Sequence, residues 1–301
     1  MNGVVVINKK EDFTSFDVVA VVRKTLHTKK VGHCGTLDPN ATGVLPVLVG
    51  NATKAQDIIP NHDKSYKASF RLGTKTDTLD VWGEILEQKE SHITFDEMKK
   101  ACEKFTGKIM QTPPMYSAVQ KDGVRLYELA RQGIEIEREA REITVYSLTL
   151  LSFDENTQEG EFTVSCSKGT YIRSLISDIA ESLGTVGMMT ALVRTSACGF
   201  TLEDAITLDE LKKYAENGVI ESKLLSTESL FVNYKELTVS DKQAVRFYNG
   251  NPLDITRTAL RDMSISDSEI FRVKNPQSEF LGLGTVNLSK GVLKIYKHFS
   301  K

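Results

Sequence analysis

The chain has 301 residues, of which 40% are hydrophobic and 26% are charged, and its formal net charge is −2. This composition is ordinary for a globular protein and excludes a wholly disordered chain. The small negative charge also excludes a uniformly basic surface, so any contact with nucleic-acid phosphates has to come from a local patch.

The cysteines and the apolar segments indicate the cellular compartment. The four cysteines form no C-x-x-C pair and no compact cluster with histidine, so we expect reduced thiols and no metal site. The first ten residues lack the basic region of a signal peptide, and glycine and proline interrupt the most apolar stretch, 41–50. We therefore expect a cytoplasmic protein that does not enter a membrane.

A strand followed by a helix is predicted for the N-terminal part. Residues 4–7 are a β-branched run, which is typical of a buried strand. Thr14 is a hydroxyl N-cap for a helix whose apolar face includes Phe16 and Leu26. That helix ends in the basic segment 23–30, which carries four cations and no acid. Charge alone favours a solvated helix end, where cations offset the helix dipole, over a phosphate-binding surface.

The middle of the chain mixes strands and helices without regular β-α-β order. Segment 106–141 is polar and contains prolines and glycines, so it predicts an excursion from the main sheet with a short helix at 126–131. Thr170 is predicted to cap a further helix, which Gly184 ends. Apolar periodicity predicts the other elements, which are strands at 43–50, 66–72, 143–152, 161–167 and 191–199, and helices at 95–105 and 207–217.

The C-terminal part has a different pattern from the rest. Beyond about residue 234, short strands alternate with turn signals rich in Gly, Pro and Asn, and this pattern predicts a small β module. Together with the mixed elements before it, the pattern favours an α+β fold class.

Asp38 is the acid that stands out, because it lies in a glycine-rich loop at 32–39. The two glycines permit the close approach of a ligand, and Pro39 pushes Asp38 towards extended backbone. The dipeptide alone is typical of an ordinary Asp-Pro turn. The cations and His33 that precede it favour a second interpretation, in which an anionic polymer lies beside the carboxylate. Common cofactor motifs are missing, so we expect side chains alone to carry the chemistry.

Six separated motifs resemble, in order, those of the TruB-type tRNA pseudouridine synthases. They are NGVVVINK at 2–9, GHCGTLDPNATGVLP at 32–46, Tyr66 with RLGTKTDT at 71–78, PMYSA at 114–118, CSKGTYIR at 166–173 and ALVRT at 191–195. The resemblance runs from the start of the chain to about residue 230. Lys10 departs from it, because the family has proline after the lysine of the first strand.

The resemblance implies an enzyme that isomerises uridine 55 of the tRNA T loop to pseudouridine without a cofactor or metal. This reaction breaks the bond from ribose to the base nitrogen, turns the base and rejoins it through carbon. By resemblance, Asp38 is the essential carboxylate. It acts either as a nucleophile or by stabilising positive charge on the sugar, and the sequence leaves both roles open.

The resemblance also implies roles for the residues around the substrate. Tyr66 is expected to stack on the target base and is a candidate to help remove the proton from the base carbon. Arg173 is expected to pair with Asp38, which would favour the ionised carboxylate. Considered alone, these residues would be a core tyrosine and a surface arginine. The remaining substrate-binding residues implied are His33, Tyr171 and Leu192.

The implied architecture has two domains. A catalytic domain of the pseudouridine synthase type, with a mixed and largely antiparallel sheet, is expected at 1–232, and its segment 106–141 is an RNA-contacting insertion. A small PUA-like RNA-binding domain is expected at 235–301. The implied partner is the T arm of tRNA, bound with the uridine flipped out and the basic segment facing phosphates. We expect a monomer without an obligatory protein partner.

Two alternative functions use the same scaffold. A noncatalytic RNA-binding or RNA-folding protein would not need the set Asp38, Tyr66 and Arg173, so the presence of that set disfavours it. A synthase that acts on other RNA, or through a guide RNA, is disfavoured by the segment that resembles the T-arm insertion and by the stand-alone layout.

Overall fold

The computed structural model describes residues 1–299. In chain order its strands are β1 Gly3–Lys9, β2 Val31–His33, β3 Thr42–Val49, β4 Lys64–Leu72, β5 Thr74–Thr76, β6 Ile85–Gln88, β7 Gly107–Gln111, β8 Gln120–Lys121, β9 Val124–Arg125, β10 Arg141–Asp154, β11 Glu159–Cys166, β12 Gly187–Ala197, β13 Phe200–Thr201, β14 Lys235–Thr238, β15 Leu253–Asp254, β16 Ile270–Lys274, β17 Phe280–Asn287 and β18 Val292–Lys297. Its α-helices are α1 Ser15–Thr25, α2 Phe95–Lys104, α3 Leu126–Ala130, α4 Ile172–Ser182, α5 Leu208–Glu216 and α6 Asp241–Tyr248. Within these residues, every helix is too short or too polar to span a membrane.

A nine-stranded sheet organises the larger part of the protein. Its strand order is β1-β3-β12-β4-β11-β10-β7, with β2 paired to β3 and β13 paired to β12. The neighbouring strands are antiparallel except for β3 and β12, which run parallel. The expected mixed, largely antiparallel sheet and the α+β class are confirmed.

Both faces of the sheet are buried at β1, which explains the continuous apolar run of this strand. Successive side chains of a strand point to opposite faces. Val5 and Ile7 therefore pack with residues of α1 and α5, whereas Val4 and Val6 pack on the opposite side. Further along the sheet, residues of α2 and α4 pack against β4, β10 and β11.

The start of α1 agrees with the sequence, but one residue of its apolar face does not. Thr14 and Asp17 form a reciprocal capping box, so the predicted N-cap is confirmed. Phe16 is 67% exposed, and its assignment to the buried face was wrong. Its ring instead packs edge-on against His33, with 5.6 Å between ring centroids.

The start of α4 also differs from the prediction. The helix begins at Ile172, and Thr170 is not its cap, because the Thr170 hydroxyl donates to the Ser167 carbonyl at 3.0 Å. Tyr171 occupies the N-cap position without a side-chain cap. Gln111 from β7 replaces the missing cap by binding the Tyr171 backbone, so the helix start depends on a distant strand.

The excursion from the main sheet is shorter than the predicted segment 106–141. Strand β7 pairs antiparallel with β10 and belongs to the main sheet, so the excursion comprises 112–140. It contains the small β8–β9 hairpin and α3, which confirms the predicted short helix. We refer to 112–140 as the insertion.

The C-terminal residues form a second, five-stranded sheet with the order β14-β16-β17-β18-β15. Helix α6 was not predicted, although a capping box at Ser240 begins it. The sheet packs against the larger part around Phe231, whose ring lies 5.4 Å from that of Phe299 between centroids. The last two residues of the predicted domain 235–301 lie outside the described residues.

Candidate active site

Asp38 lies in the loop that joins β2 to β3, and buried side chains hold the backbone of this loop. The Lys9 ammonium is fully buried and donates to the Pro39 carbonyl at 2.7 Å and to two further carbonyls. The Ser15 hydroxyl accepts from the Leu37 amide at 2.9 Å. Burial lowers the pKa of Lys9 to about 8. The Asp38 loop is thus tied to β1 and to the start of α1.

Arg194 on β12 holds the same loop from the other side. Its side chain is fully buried, and its guanidinium donates to three backbone carbonyls. The acceptors are Gly35 at 3.2 Å, Thr36 at 3.0 Å and Val44 at 2.7 Å. A planar guanidinium with several donors in fixed directions suits this task, because it can satisfy several carbonyls at once. The loop is therefore rigidly positioned before any substrate binds.

Arg173, in the first turn of α4, pairs directly with Asp38. Its Nη2 lies 3.1 Å from Asp38 Oδ2. The arginine side chain is only 6% exposed, whereas that of Asp38 is 42% exposed. The same guanidinium donates to the carbonyls of Thr78 at 2.8 Å and Tyr116 at 2.9 Å. The two carbonyls thus fix the buried guanidinium, and the carboxylate of Asp38 remains accessible to solvent.

Asp80 is a second carboxylate next to Arg173, at 3.9 Å from its Nη1. It is buried and accepts hydrogen bonds from the Thr78 hydroxyl at 2.6 Å and the Trp82 amide at 3.2 Å. Burial raises the pKa of Asp80, although these hydrogen bonds and Arg173 oppose the rise. Asp80 and Asp38 therefore flank one arginine, with Asp80 on its buried side.

Tyr66 and Leu192 form an apolar wall near the carboxylate. They lie on the paired strands β4 and β12, and both belong to one buried cluster together with Leu37 of the Asp38 loop. Burial raises the pKa of the Tyr66 hydroxyl to about 12, and the Asp38 charge adds to the rise while Arg194 opposes it. Tyr66 is therefore a neutral phenol at physiological pH.

Tyr171 lies at the start of α4, and Gln111 fixes its backbone. The Gln111 side chain is buried; its Oε1 accepts from the Tyr171 amide at 2.8 Å, and its Nε2 donates to the Tyr171 carbonyl at 3.1 Å. Burial raises the pKa of the Tyr171 phenol, and the Asp38 charge adds to the rise, whereas the Arg173 charge opposes it. Tyr171 therefore belongs to the surroundings of Asp38.

His33, at the end of β2, occupies a different environment. Within the described chain, no hydrogen bond or ion pair joins it to Asp38, and its ring packs against that of Phe16. Its Nδ1 is buried without a hydrogen-bond partner among the described residues. Burial lowers the pKa of His33. The structure thus brings together Asp38, Arg173, Tyr66, Tyr171 and Leu192 and places His33 beside them.

This arrangement can hold one reactive carboxylate against a flat, apolar ring. No group of three His, Cys, Asp or Glu side chains within residues 1–299 could hold a metal ion. A carboxylate that is accessible, paired with a buried cation and fixed by backbone ties can attack an electron-poor centre or stabilise a developing positive charge.

Family models match most of the chain that forms this site. The model for the N-terminal domain of TruB family pseudouridylate synthases matches residues 23–172, and the model for the C-terminal domain of tRNA pseudouridylate synthase B matches residues 173–231. The chain belongs to the TruB family of pseudouridylate synthases. The resemblance found in the motifs is confirmed, and the two matches together contain the Asp38 loop, Arg173 and Leu192.

Curated relatives extend this TruB likeness to nearly the whole chain. A protein named tRNA pseudouridine synthase B from Clostridium perfringens is 45% identical over 285 residues, which cover 94% of this chain and 95% of the relative. The protein of the same name from Clostridium acetobutylicum is 41% identical over 99% of both chains. Another from Alkaliphilus oremlandii is 45% identical over 83% of this chain and 82% of its own.

Solved structures agree with the TruB fold. A chain of a Cbf5-Nop10-Gar1 complex matches 99% of this chain with a TM-score of 0.75 at 25% identity, and covers 85% of its own length. A chain of an H/ACA ribonucleoprotein bound to a substrate RNA with 2'-deoxyuridine also gives a TM-score of 0.75, at 23% identity and the same coverage. The latter likeness supports the fold alone.

Four buried residues of the TruB site were not singled out from the sequence. Lys9 and Arg194 appeared only as letters within motifs, and Asp80 and Gln111 were not considered. Each acts through distant backbone groups or through another side chain, and no local pattern reveals such contacts. Lys9 could have been found from the sequence, because it is a charged residue at the end of an otherwise apolar, β-branched strand.

Proposed function

We propose that this chain isomerises uridine 55 in the T loop of tRNA to pseudouridine, with Asp38 as the catalytic carboxylate. The observation that carries the proposal is the pair of Asp38 and Arg173, in which an exposed carboxylate lies 3.1 Å from a buried guanidinium. Family membership supports the same reaction, because the curated relatives are named for it.

The proposed reaction needs the uridine outside the stacked T loop, because Asp38 cannot reach a stacked base. The nucleotide is flipped into the space in front of Asp38. The bond between ribose C1' and base N1 breaks, the base turns, and a bond forms between C1' and C5. The proton on C5 leaves and N1 gains one, so the product is an isomer of the substrate. The carboxylate acts on the electron-poor intermediate that exists between these bonds.

Tyr66, Tyr171 and Leu192 form the proposed base pocket. Stacking on an aromatic ring is favourable for any base and contributes about 1–3 kcal/mol. Tyr66 is buried and neutral with a pKa of about 12, which suits a ring that stacks on the base and a hydroxyl that takes part as a hydrogen-bonding group. His33, with an unpaired buried nitrogen beside an exposed Phe16 ring, is proposed to contact the RNA near the flipped nucleotide.

The insertion is proposed to close over the T arm, and its contact with Arg173 supports this role. The Tyr116 carbonyl accepts from Arg173, and the Tyr116 hydroxyl donates to Asp77 at 3.0 Å. A displacement of the insertion is therefore transmitted to the arginine that holds Asp38. Binding of the T arm and the geometry of the carboxylate are coupled through these two hydrogen bonds.

The basic segment is proposed as a phosphate-facing surface. Its four cations, Arg23, Lys24, Lys29 and Lys30, are exposed, and no carboxylate among residues 1–299 pairs with them. Arg23 and Lys24 also lie in the last turn of α1, where they offset the helix dipole. Four exposed cations that pair with no carboxylate among the described residues support RNA binding beyond this helix-end role.

The remaining assignments complete the proposal. The catalytic domain comprises 1–232, and 235–301 is a PUA-like domain that contacts RNA; its exposed Tyr248 and Tyr296 support this assignment. The chain acts as a monomer on tRNA without an obligatory protein partner, because all residues of the proposed site come from one chain. The proposed location of the reaction is the cytoplasm, where the tRNA substrate is found.

The test is tritium release from unmodified tRNA that carries tritium at uracil C5. We expect the purified chain alone to release label from one uridine per tRNA, with the product mapped to position 55. Tight tRNA binding without release would overturn the enzymatic function in favour of a noncatalytic RNA-binding protein. Release only after a guide RNA or protein partner is added would overturn the stand-alone tRNA activity.

A further inference from the structure

Two of the four thiols meet where the Asp38 loop packs against the turn between β12 and β13. Cys34 precedes Asp38 in this loop, and Cys198 lies in the turn between β12 and β13. Both are buried, with 5% and 4% exposure, and both belong to one core cluster. The two side chains lie close enough for each to shift the ionisation of the other. Two residues far apart in sequence thus present paired sulfurs.

Both cysteines line one cavity of about 210 Å³. The cavity reaches the surface, because the exposed residues Gln56 and Asp57 also line it. Its volume is several times the share of one water molecule in the liquid, which is about 30 Å³. A small neutral peroxide therefore has room next to the sulfurs, whereas a protein-sized reagent does not.

The chemical surroundings distinguish this pair from the other two cysteines. The interaction with Cys34 and the nearby cations Lys64 and Arg194 lower the pKa of the Cys198 thiol despite its burial. Burial raises the pKa of Cys102 and of Cys166 to about 11 each. The thiolate is the reactive form of cysteine, so oxidation is expected at the pair before the other two.

We propose that Cys34 and Cys198 form a dithiol site that hydrogen peroxide oxidises to a disulfide, which displaces the Asp38 loop. The Cys198 thiolate attacks one peroxide oxygen, the O–O bond breaks, and hydroxide leaves to give a sulfenic acid. The Cys34 sulfur then attacks the Cys198 sulfur and loses its proton, and the hydroxyl group leaves as water. Two thiols and one peroxide give one disulfide and two waters, with the sulfurs oxidised and the peroxide reduced.

The displacement follows from the change in distance between the sulfurs. A disulfide holds its sulfurs about 2 Å apart, which is much closer than two thiols that are not bonded to each other. The Cys34 amide is bonded to the Pro46 carbonyl at 2.9 Å, and the next residue, Gly35, is bonded to Arg194. Closure of the bond therefore strains the ties that hold the loop. The consequence for turnover, but not the chemistry, rests on the proposed function.

The experiment treats the full-length reduced protein with hydrogen peroxide and measures intact mass, peptide linkage and tritium release. We expect a loss of two hydrogen masses, a linked peptide pair that contains Cys34 and Cys198, and turnover reduced at least about tenfold. Dithiothreitol should restore both mass and turnover. The matched controls are a Cys102→Ser, Cys166→Ser double variant, which keeps the response, and Cys198→Ser, which loses it.

Three results would overturn the proposal. Peroxide that leaves the mass of the native protein unchanged would exclude the dithiol site, as would oxidation at Cys102 or Cys166 in preference to the pair. A complete disulfide between Cys34 and Cys198 with unaltered turnover would exclude the displacement of the Asp38 loop. Because the mass and the linkage are read without substrate, they remain decisive even if the proposed reaction is not found.

Discussion

Substitution of Arg173 by lysine tests whether the site needs only a positive charge at this position or also the hydrogen-bonding geometry of the guanidinium. The guanidinium bonds two carbonyls and pairs with Asp38 at the same time. A lysine has one point-like ammonium on a flexible stem, and it cannot reach all three acceptors with the angles of the planar group. Arg173→Lys keeps the charge but leaves at least one buried carbonyl without its donor.

The expected losses follow from these contacts. An unpaired buried carbonyl costs about 1–3 kcal/mol of folding free energy, and two would cost about 2–6 kcal/mol. Displacement of the Asp38 carboxylate by about 1 Å is expected to lower single-turnover tritium release about 100-fold. Such a factor corresponds to about 2.7 kcal/mol of transition-state stabilisation. Affinity for tRNA should change less than about threefold, because the arginine is buried.

The assay combines single-turnover tritium release, filter binding of tRNA and urea unfolding. Arg71→Lys is the matched control, because Arg71 forms an exposed ion pair with Glu159 on the main sheet away from the Asp38 loop. Exposed pairs contribute about 0–1 kcal/mol, so the control should remain stable and active. An Arg173→Lys protein that turns over as fast as the Arg71→Lys control would refute the positioning role assigned to the guanidinium.

Three further predictions concern Tyr66, Lys9 and the basic segment. Tyr66→Phe should reduce turnover with little change in tRNA affinity, because the hydroxyl lies near Asp38; unchanged single-turnover release would limit Tyr66 to stacking. The pKa of Lys9 falls from 10.5 to about 8 on folding, so the folded state binds fewer protons above pH 8 and is stabilised as pH rises. Between pH 7.5 and 10 the unfolding free energy of the native chain should gain about 2 kcal/mol relative to Lys9→Met, and a pH-independent difference in urea titrations would contradict this. Charge reversal at the four cations of the basic segment should weaken tRNA binding and reduce its dependence on salt concentration. If the slope of the logarithm of the binding constant against the logarithm of the salt concentration is unchanged, the four cations only offset the helix dipole.

The sequence was sufficient for elements whose signals are local. Thr14, the N-cap, predicted the start of α1, and Gly184, whose backbone has a positive φ, predicted the end of α4. The start of α4 was misplaced because its cap, Gln111, comes from a strand sixty residues earlier. Helix α6 was missed among turn signals, although Ser240 caps it as an ordinary N-cap.

The residues of the site also differ in how far the sequence predicted them. The motif resemblance was sufficient to select Asp38, Tyr66 and Arg173, and the structure brings them together. The resemblance did not explain what holds the Asp38 loop in place. Lys9 on β1 and Arg194 on β12 do so by donating hydrogen bonds to carbonyls of the loop. Such ties depend on three-dimensional proximity. A buried cation bonded to backbone carbonyls has no spacing rule along the chain, so only the fold reveals it.

The central claim is that the Asp38 carboxylate carries the reaction. Its most direct test is single-turnover tritium release by Asp38→Asn, an isosteric change that removes only the charge. We expect no release above background, tRNA affinity within about threefold of the native chain, and native release by Asp96→Asn, an exposed acid in the first turn of α2. Release by Asp38→Asn at a rate comparable with that of the native chain would contradict the account.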